Sequence, residues 1–412
     1  MTARFDAIVV GGGPGGSTAA RALAAAGART LVLDAARFPR VKLCAGWVTH
    51  AVLRDVALDP AAYPHTIQPF DTVSIAVGGV EHETRWPETA SFGIVRAEFD
   101  TFLLRRAAAA GATVVEGARV RDVRADAGGV TIATDDATYA ADVVVGAGGH
   151  HCPVARALGA VDAAEAVVVT QESETRVGAD LLRTLTPRAG TPELFAEPDF
   201  RGYGWYFTKG DFLNVGVGAL GGTPVRARLE RLLRTLRATG RLPDGLALTP
   251  FKGHAYAIRR ARPRCVAGDR FVLVGDAAGL ARDVSGEGIG PATRSARLAA
   301  AAILAGRPRD HAAAVEAEWG RPRPALARLL ALVPHSLVVF GARLACTRPG
   351  LRRRLVLEGA FGIGGPPCAS GRSTATARPS PSTTTSRTTS TPASSTGGWS
   401  TPAPTTGRRT AI

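Results

Sequence analysis

Ala7-Ile8-Val9-Val10-Gly11-Gly12-Gly13-Pro14-Gly15-Gly16 is the stretch on which the fold turns. An apolar run leads into clustered glycines, and an Ala-rich segment from Ser17 to Ala26 then has the composition of a helix. Strand, tight turn and helix in that order are what a dinucleotide fingerprint requires. Gly11 permits the turn, Gly13 lets the backbone approach a pyrophosphate, and Gly16 lets the helix pack close to the sheet. The helix N-terminus offers N–H groups and a positive dipole end to the phosphates. A second strand, Thr30-Leu31-Val32-Leu33, ends at Asp34, roughly 20 residues past the glycines, where a carboxylate would bind a ribose. The competing reading is a glycine-rich turn without a ligand; strand, helix and acid together speak against it.

Two more glycine clusters follow apolar runs. Val143-Val144-Val145 leads into Gly146-Ala147-Gly148-Gly149, and Phe271-Val272-Leu273-Val274 leads into Gly275-Asp276-Ala277-Ala278-Gly279. Gly275-Asp276 would set a carboxylate against the ribityl hydroxyls of an FAD. Ser285-Gly286-Glu287-Gly288-Ile289-Gly290 then reads as a glycine loop entering a helix, whose N–H groups would stabilise negative charge at N1/O2 of a reduced flavin.

Between these motifs the pattern changes. Ala97 to Arg106 has apolar residues at helical spacing, and short alternating strands follow at 113–115, 118–123, 130–133 and 139–141. From about 165 to 255 longer β-like runs dominate, 167–170 and 212–217 among them, interrupted by a charged amphipathic helix over 225–238. The expected architecture is α/β: a doubly wound, Rossmann-like FAD-binding domain (1–165 and 255–320), an inserted antiparallel β substrate lobe (166–254, with a contribution near 62–95), and a short helical C-terminal part (321–364). From 365 to 412 the chain is almost entirely Ser, Thr, Pro, Gly, Ala and Arg, and no acidic residue follows Glu358. Such a segment cannot bury enough apolar surface to offset its ordering entropy and is expected to be disordered. A shifted reading frame in GC-rich DNA is one origin for it.

Bulk properties narrow the class. The chain has 412 residues and a net charge of +15, but only three lysines, Lys42, Lys209 and Lys252. The positive charge is scattered arginine, alongside abundant alanine, glycine and proline, a bias that reads as GC-rich coding rather than selection for a polyanion. No nucleic acid is expected as partner; an acidic lipid surface fits better. Five cysteines (Cys44, Cys152, Cys265, Cys346, Cys368) lie far apart without CxxC spacing, which argues against disulfides and zinc. His150-His151-Cys152 does not read as a metal site, since adjacent residues rarely point at one ion. The first strand begins almost at Met1, leaving no room for a signal peptide. The longest near-apolar run, Leu329 to Ala345, is broken by Pro334 and His335. The sum reads as reducing and cytoplasmic, with peripheral membrane association left open and no crossing.

Taken together, the glycine segments resemble those of the geranylgeranyl reductase family, within the larger group of FAD proteins that includes aromatic hydroxylases and flavin halogenases. Gly275-Asp276-Ala277-Ala278-Gly279 with Gly286-Glu287-Gly288-Ile289 is closer to that family's flavin loop than to the hydroxylase pattern, which carries His where Gly279 sits. Tyr203-Gly204-Trp205-Tyr206-Phe207-Thr208-Lys209 with Asn214-Val215-Gly216-Val217-Gly218 is similar to the aromatic strand pair lining the family's prenyl-lipid cavity. Phe38-Pro39-Arg40-Val41-Lys42-Leu43-Cys44-Ala45-Gly46 is similar to its Pro…Lys-x-Cys-Gly-Gly stretch near the isoalloxazine. The likeness covers roughly residues 5 to 305. Departures are Ala45 for the first glycine after Cys44, Thr208 for a usual proline, Arg282-Asp283 where neutral residues are common, and Gly148-Gly149 for Asp-Gly. Tyr203 and Thr208 also break the W-x-W-x-I-P strand of halogenases.

The resemblance implies reduction of carbon–carbon double bonds in an isoprenoid or similar apolar substrate, with FAD as cofactor and NAD(P)H or a reduced carrier as electron donor. It implies that Cys44 helps protonate or position the alkene; the alternative is a small buried residue. Lys42 either places positive charge near the flavin or is simply exposed. Arg96 matches an arginine that contacts FAD. Tyr203, Trp205 and Phe207 line an apolar tunnel or are ordinary sheet core. The cofactor set is Gly11, Gly13, Gly16, Asp34, Arg96, Gly275, Asp276, Gly286, Gly288 and Ile289. An FAD monooxygenase is the alternative, and a non-catalytic protein that binds an anionic surface is a third reading. Oligomeric state is not legible.

Overall fold

The computed structural model describes residues 3–161, 167–185, 190–258, 264–320 and 332–365. Strand β1 (Ala3–Val10), helix α1 (Pro14–Ala25) and strand β2 (Thr30–Asp34) form the opening unit. Next come β3 (Trp47–Thr49), α2 (His50–Asp55), β4 (Ile67–Phe70), β5 (Thr72–Val77), β6 (Val80–Arg85) and β7 (Ser91–Ile94). Helix α3 (Arg96–Ala109) leads to β8 (Thr113–Glu116), β9 (Val120–Asp126), β10 (Gly129–Thr134), β11 (Thr138–Gly146) and α4 (Pro153–Ala157).

Strands β8, β2, β1 and β11 lie side by side, all parallel, and a later parallel strand, Phe271–Leu273, closes the row by pairing with the C-terminal half of β11. The hairpin β9–β10 pairs antiparallel with the N-terminal half of β11. Parallel strands covered on both faces read as continuous apolar runs, and β1 shows why. Ala7 and Val9 face a layer that includes Ala19, Ala20 and Leu23 of α1, whereas Ile8 and Val10 face the opposite core, with Val130, Ile132 and Val154.

The second sheet is built from β12 (Val167–Arg176), β13 (Glu193–Ala196), β14 (Gly202–Lys209), β15 (Phe212–Leu220) and β16 (Lys252–Ala257), with helices α5 (Ala179–Leu185) and α6 (Val225–Ala238) between them. Its order is β16-β12-β15-β14-β13-β5-β6. All pairings are antiparallel except β13 with β5, because β5 enters from the earlier part of the chain. The sheet runs past the expected boundary at 254, since β16 continues to Ala257 as the edge partner of β12. Leu229, Leu232 and Leu236 of α6 cover its outer face, packed with Val217 and Ala219 or with Tyr206, Leu213 and Val215. A third, three-stranded sheet, β3-β7-β4, sits in the same compact unit.

After β17 (Phe271–Leu273) the chain forms α7 (Ile289–Leu304) and α8 (Asp310–Trp319). A further helix, His335–Thr347, starts right after Pro334, the residue that breaks the apolar run. The segment Arg352–Ala360 continues the helical C-terminal part. Of the expected helical segment 321–364, residues 321–331 lie outside the described residues, as does all of the expected disordered tail beyond Gly365. Among the described residues no helix is long and apolar enough to cross a membrane.

Candidate active site

The turn after β1 is set by steric limits. Gly11 has φ +109°, and a Cβ there would fall 2.5 Å from the Ala147 carbonyl oxygen of the second glycine cluster. At Gly16 a Cβ would lie 1.7 Å from the Gly11 carbonyl oxygen, so only glycine lets α1 approach the turn. Gly13 differs: its one near neighbour is the tip of Arg40 at 3.3 Å, and its other side is open. That opening in front of a helix N-terminus is the cradle a pyrophosphate needs. Asp34 lies beside it, accepting from the backbone N–H of Gly12 at 2.6 Å and of Ala36 at 2.8 Å.

The third motif folds against the same space. Asp276 Oδ1 lies 3.0 Å from where a Gly288 Cβ would stand, so the glycine loop and the carboxylate pack face to face. Gly275, at φ +58°, donates its N–H to Ser295 Oγ of α7 at 3.0 Å. The first turn of α7 offers fewer donors than expected. Gly290 N–H donates to Glu287 Oε1 at 3.1 Å, Pro291 has none, and Ala292 N–H bonds to the Gly288 carbonyl. The backbone donors left in this turn are those of Gly288 and Ile289. Burial raises the Glu287 carboxyl, while Arg282 holds its other oxygen at 2.8 Å and pulls the other way. Arg282, a departure from the family pattern, thus neutralises an acid at the loop.

The segment from Phe38 to Gly46 crosses between the two motifs. Arg40 stands over the Phe38 ring and pairs with Asp100 at 3.2 Å. Arg96, at the start of α3, grips the same buried Asp100 with two hydrogen bonds of 2.8 Å. Burial pulls the Arg96 pKa down, but Asp100 more than offsets this and the group stays fully cationic. Lys42 is half-buried, with its ammonium near Gly149, rather than exposed. Desolvation lowers its pKa against the attraction of Asp276. Cys44 is half-buried and accepts weakly from the Gly46 N–H at 3.4 Å.

Side-chain alternation aims one face of the second sheet at this space. From β14 it presents Tyr203, Trp205, Phe207 and Lys209, and from β12 Val168, Thr170, Glu172 and Glu174. Trp205 Nε1–H donates to Asn214 Oδ1 at 2.7 Å, and Asn214 in turn donates to Glu174 at 3.4 Å. The fully buried Lys209 donates to Glu174 and, at 3.0 Å, to the Ala45 carbonyl beside Cys44. The Tyr203 hydroxyl donates to the Ser285 carbonyl, tying the sheet to the glycine loop. The small residues of β15 leave space in front of the strand. At Gly216 the indole of Trp205 takes that room, since a Cβ there would be 2.3 Å from its Cζ2.

One cavity of about 610 Å3 joins these parts. Every residue expected at the site lines it except Gly16, which lies beneath the turn: Gly11, Gly13, Asp34, Lys42, Cys44, Arg96, Tyr203, Trp205, Phe207, Gly275, Asp276, Gly286, Gly288 and Ile289. Trp205 and Phe207 are also core, packed with Phe70, Ile75 and Leu194, so the tunnel and core readings coincide in the same side chains. His150 and His151 line the cavity, whereas the Cys152 thiol turns into the sheet core against Gly146.

Several lining residues were not singled out from the sequence. Trp47 and Phe361 complete the aromatic wall, with ring centroids 5.7 Å from Phe207 and 5.6 Å from Tyr203, respectively. His254 is held down at about 4 by burial and by the nearby Lys42. Glu172 is 3% exposed, and burial pushes its carboxyl up to about 7. The signal for Glu172 was present as a charge on the inward phase of an alternating strand. Arg40 lies within the Phe38–Gly46 stretch already read as near the isoalloxazine, but for Trp47 and Phe361 no local signal existed, because distant segments bring them together. The open Gly13 cradle, the opposed Asp276 and the polar-to-aromatic cavity together fit an FAD.

The FAD binding domain family matches residues 4–307. The menaquinone reductase of Mycolicibacterium smegmatis is 31% identical over 335 residues, covering 76% of this chain and 80% of that protein. The chloroplastic geranylgeranyl diphosphate reductase of Oryza sativa subsp. japonica is 31% identical over 328 residues, covering 74% and 67%. A solved geranylgeranyl bacteriochlorophyll reductase-like structure from Thermoplasma acidophilum superposes with a TM-score of 0.68 at 20% identity, covering 86% of this chain and 99% of that one. A halogenase solved with phloroglucinol and FAD gives 0.58 at 16%, covering 73% and 69%. At such identities the two structures speak to the fold alone, and they agree with the α/β FAD-binding architecture read from the sequence. With sequence matches of this extent to two kinds of reductase, the chain belongs to the FAD-binding family that contains the geranylgeranyl reductases and is an FAD-dependent oxidoreductase.

Proposed function

We propose that this enzyme reduces carbon–carbon double bonds in a prenyl chain or a similar apolar group. The observation that carries the reading is the continuity of the cavity: the dinucleotide cradle at one end runs without a partition into the aromatic wall of Trp47, Tyr203, Trp205, Phe207 and Phe361. When bound and reduced, the flavin supplies the hydride. The chain does the rest. Gly11, Gly13 and the start of α1 hold the pyrophosphate, with Arg40 beside them; Asp34 and Asp276 bind the adenosine ribose and the ribityl hydroxyls. Arg96 and Lys42 keep positive charge near the flavin. The aromatic wall excludes water and orients the alkene, and Cys44 stands where the two regions meet.

The sequence holds no second complete nucleotide fingerprint, so in this reading NAD(P)H would bind transiently or another reduced carrier would donate the electrons. Peripheral membrane contact fits the helix His335–Thr347. Leu337 and Phe340 are 60% and 66% exposed on it, and Leu332 and Leu355 are exposed nearby. Arg343, Arg348 and Arg353 flank them, while Cys346, Val356 and Phe361 of the same region line the cavity. A lipid substrate would thus reach the site from an apolar, cationic surface. The deciding experiment is anaerobic incubation of dithionite-reduced holoenzyme with a lipid extract, followed by mass spectrometry. A gain of two hydrogens per double bond supports the reading. Oxygen-dependent hydroxylation without any saturated product would replace it with a monooxygenase.

A further inference from the structure

The cations nearest one buried carboxyl of the cavity, Glu172, are paired with other carboxylates. Lys209 belongs to Glu174, and Arg96 and Arg40 share Asp100. Glu172 has no such partner: it is 3% exposed, and its buried Oε1 has no hydrogen bond. It sits in a row across the sheet, opposite Gly216 on β15, which in turn is opposite Trp205 on β14. This places it between the cation-bearing end of the cavity and the aromatic wall. Lys209 and Arg96 act on it from β14 and α3, Glu174 from its own strand and Tyr256 from β16, and the backbone of Cys44 reaches it. Lys252, its cross-strand neighbour on β16, is exposed at the sheet edge.

A buried carboxyl without a counterion favours its neutral form. In that form it would bring a proton to the aromatic side of the cavity, next to the position where an alkene would lie. We propose that Glu172 is the proton donor that completes saturation of the double bond, an assignment that rests on the reductase reading above. As the Glu172 O–H breaks, a C–H bond forms at one alkene carbon. The hydride already assigned to the reduced cofactor adds at the other, and water reprotonates the carboxylate afterwards. Lys209 and Arg96 are close enough to stabilise that carboxylate. Burial keeps the group near 7, the range in which a general acid is both protonated and able to give its proton up.

The test uses holoenzyme, wild type and Glu172→Gln, with two kinds of readout. Infrared difference titration should show a protonated carboxyl in the wild type that ionises near pH 7 and is missing from Glu172→Gln. Because the folded pKa lies above the ordinary 4.5, the contribution of Glu172 to stability is fully present below 4.5 and is lost as pH rises to about 7; the difference between wild type and the glutamine variant should show that slope. Saturation of a prenyl substrate should drop at least ~100-fold in Glu172→Gln, with FAD content and dithionite reduction of the flavin unchanged, and the wild-type rate should decline above pH 7. Glu172→Asp should recover part of the rate. If the wild type is active and Glu172→Gln keeps its rate and pH limb, the donor assignment fails by itself. If Tyr256→Phe or Cys44→Ser removes that limb instead, the proton comes from another group. An infrared spectrum with Glu172 already ionised at pH 6 overturns the proposal even if the variant does not fold. If the wild type saturates no prenyl substrate, the reductase reading fails and the donor role falls with it, while the titration still reports the neutral carboxyl.

Discussion

Gly13 and Gly16 lie three residues apart in one turn, yet the structure gives alanine opposite consequences at the two positions. At Gly16 a methyl would sit 1.7 Å from the Gly11 carbonyl oxygen, and backbone cannot swing aside. Helix α1 would have to retreat by well over an ångström from a turn it is packed against on the α7 and α3 side. Overpacking of this kind costs ~1–3 kcal/mol. Gly13 has φ −71°, an ordinary value for alanine, and meets only the flexible tip of Arg40. Its replacement should leave the apoprotein unchanged or stabilise it by ~0.4–1 kcal/mol through the unfolded chain. The same methyl would stand in the pyrophosphate path. Losing one charge-assisted contact, ~1.5–3 kcal/mol, should weaken FAD binding about ten- to hundredfold. Urea unfolding of both apoproteins and fluorescence titration with FAD separate the effects. Gly16→Ala should lose stability and affinity together, and Gly13→Ala affinity alone. A Gly13→Ala protein that binds FAD like the wild type would refute the phosphate-cradle assignment, and a Gly16→Ala protein with an unshifted midpoint would refute the packing argument.

Asp276→Ala should weaken FAD by ~1.5–3 kcal/mol, read as cofactor loss on gel filtration, with little effect on unfolding of the apoprotein. Trp205→Ala should cost ~3–5 kcal/mol, because the indole fills the space over Gly216 and donates to Asn214. Trp205→Phe is the milder probe: FAD content near wild type with an altered preference for prenyl chain length, measured by product mass spectrometry. The double variant Leu337→Ser, Phe340→Ser should lower flotation with anionic vesicles and leave FAD content unchanged; equal flotation would remove this helix from any membrane contact.

The dinucleotide turn was legible in sequence because its constraint is local. Gly11, Gly13 and Gly16 obey limits set within one strand, one turn and one helix, and a strand–glycine–helix order reports them without any knowledge of the rest of the chain. The amphipathic helix 225–238 was legible for the same reason, since its leucines repeat at helical spacing. What the cavity contains was a tertiary decision. Trp47 and Phe361 are more than three hundred residues apart in the chain, yet they stand 5.9 Å apart beside Tyr203 and Phe207. Whether Glu172 is charged depends on how many cations the fold assembles around it and which carboxylates claim them first. Lys209 pairs with Glu174 only because β12 and β14 flank β15 in one sheet, whereas Arg96 pairs with Asp100 within α3 and comes near Glu172 only because that helix starts at the same cavity. Local sterics are written in neighbouring residues, whereas desolvation and charge pairing depend on what the rest of the fold brings near.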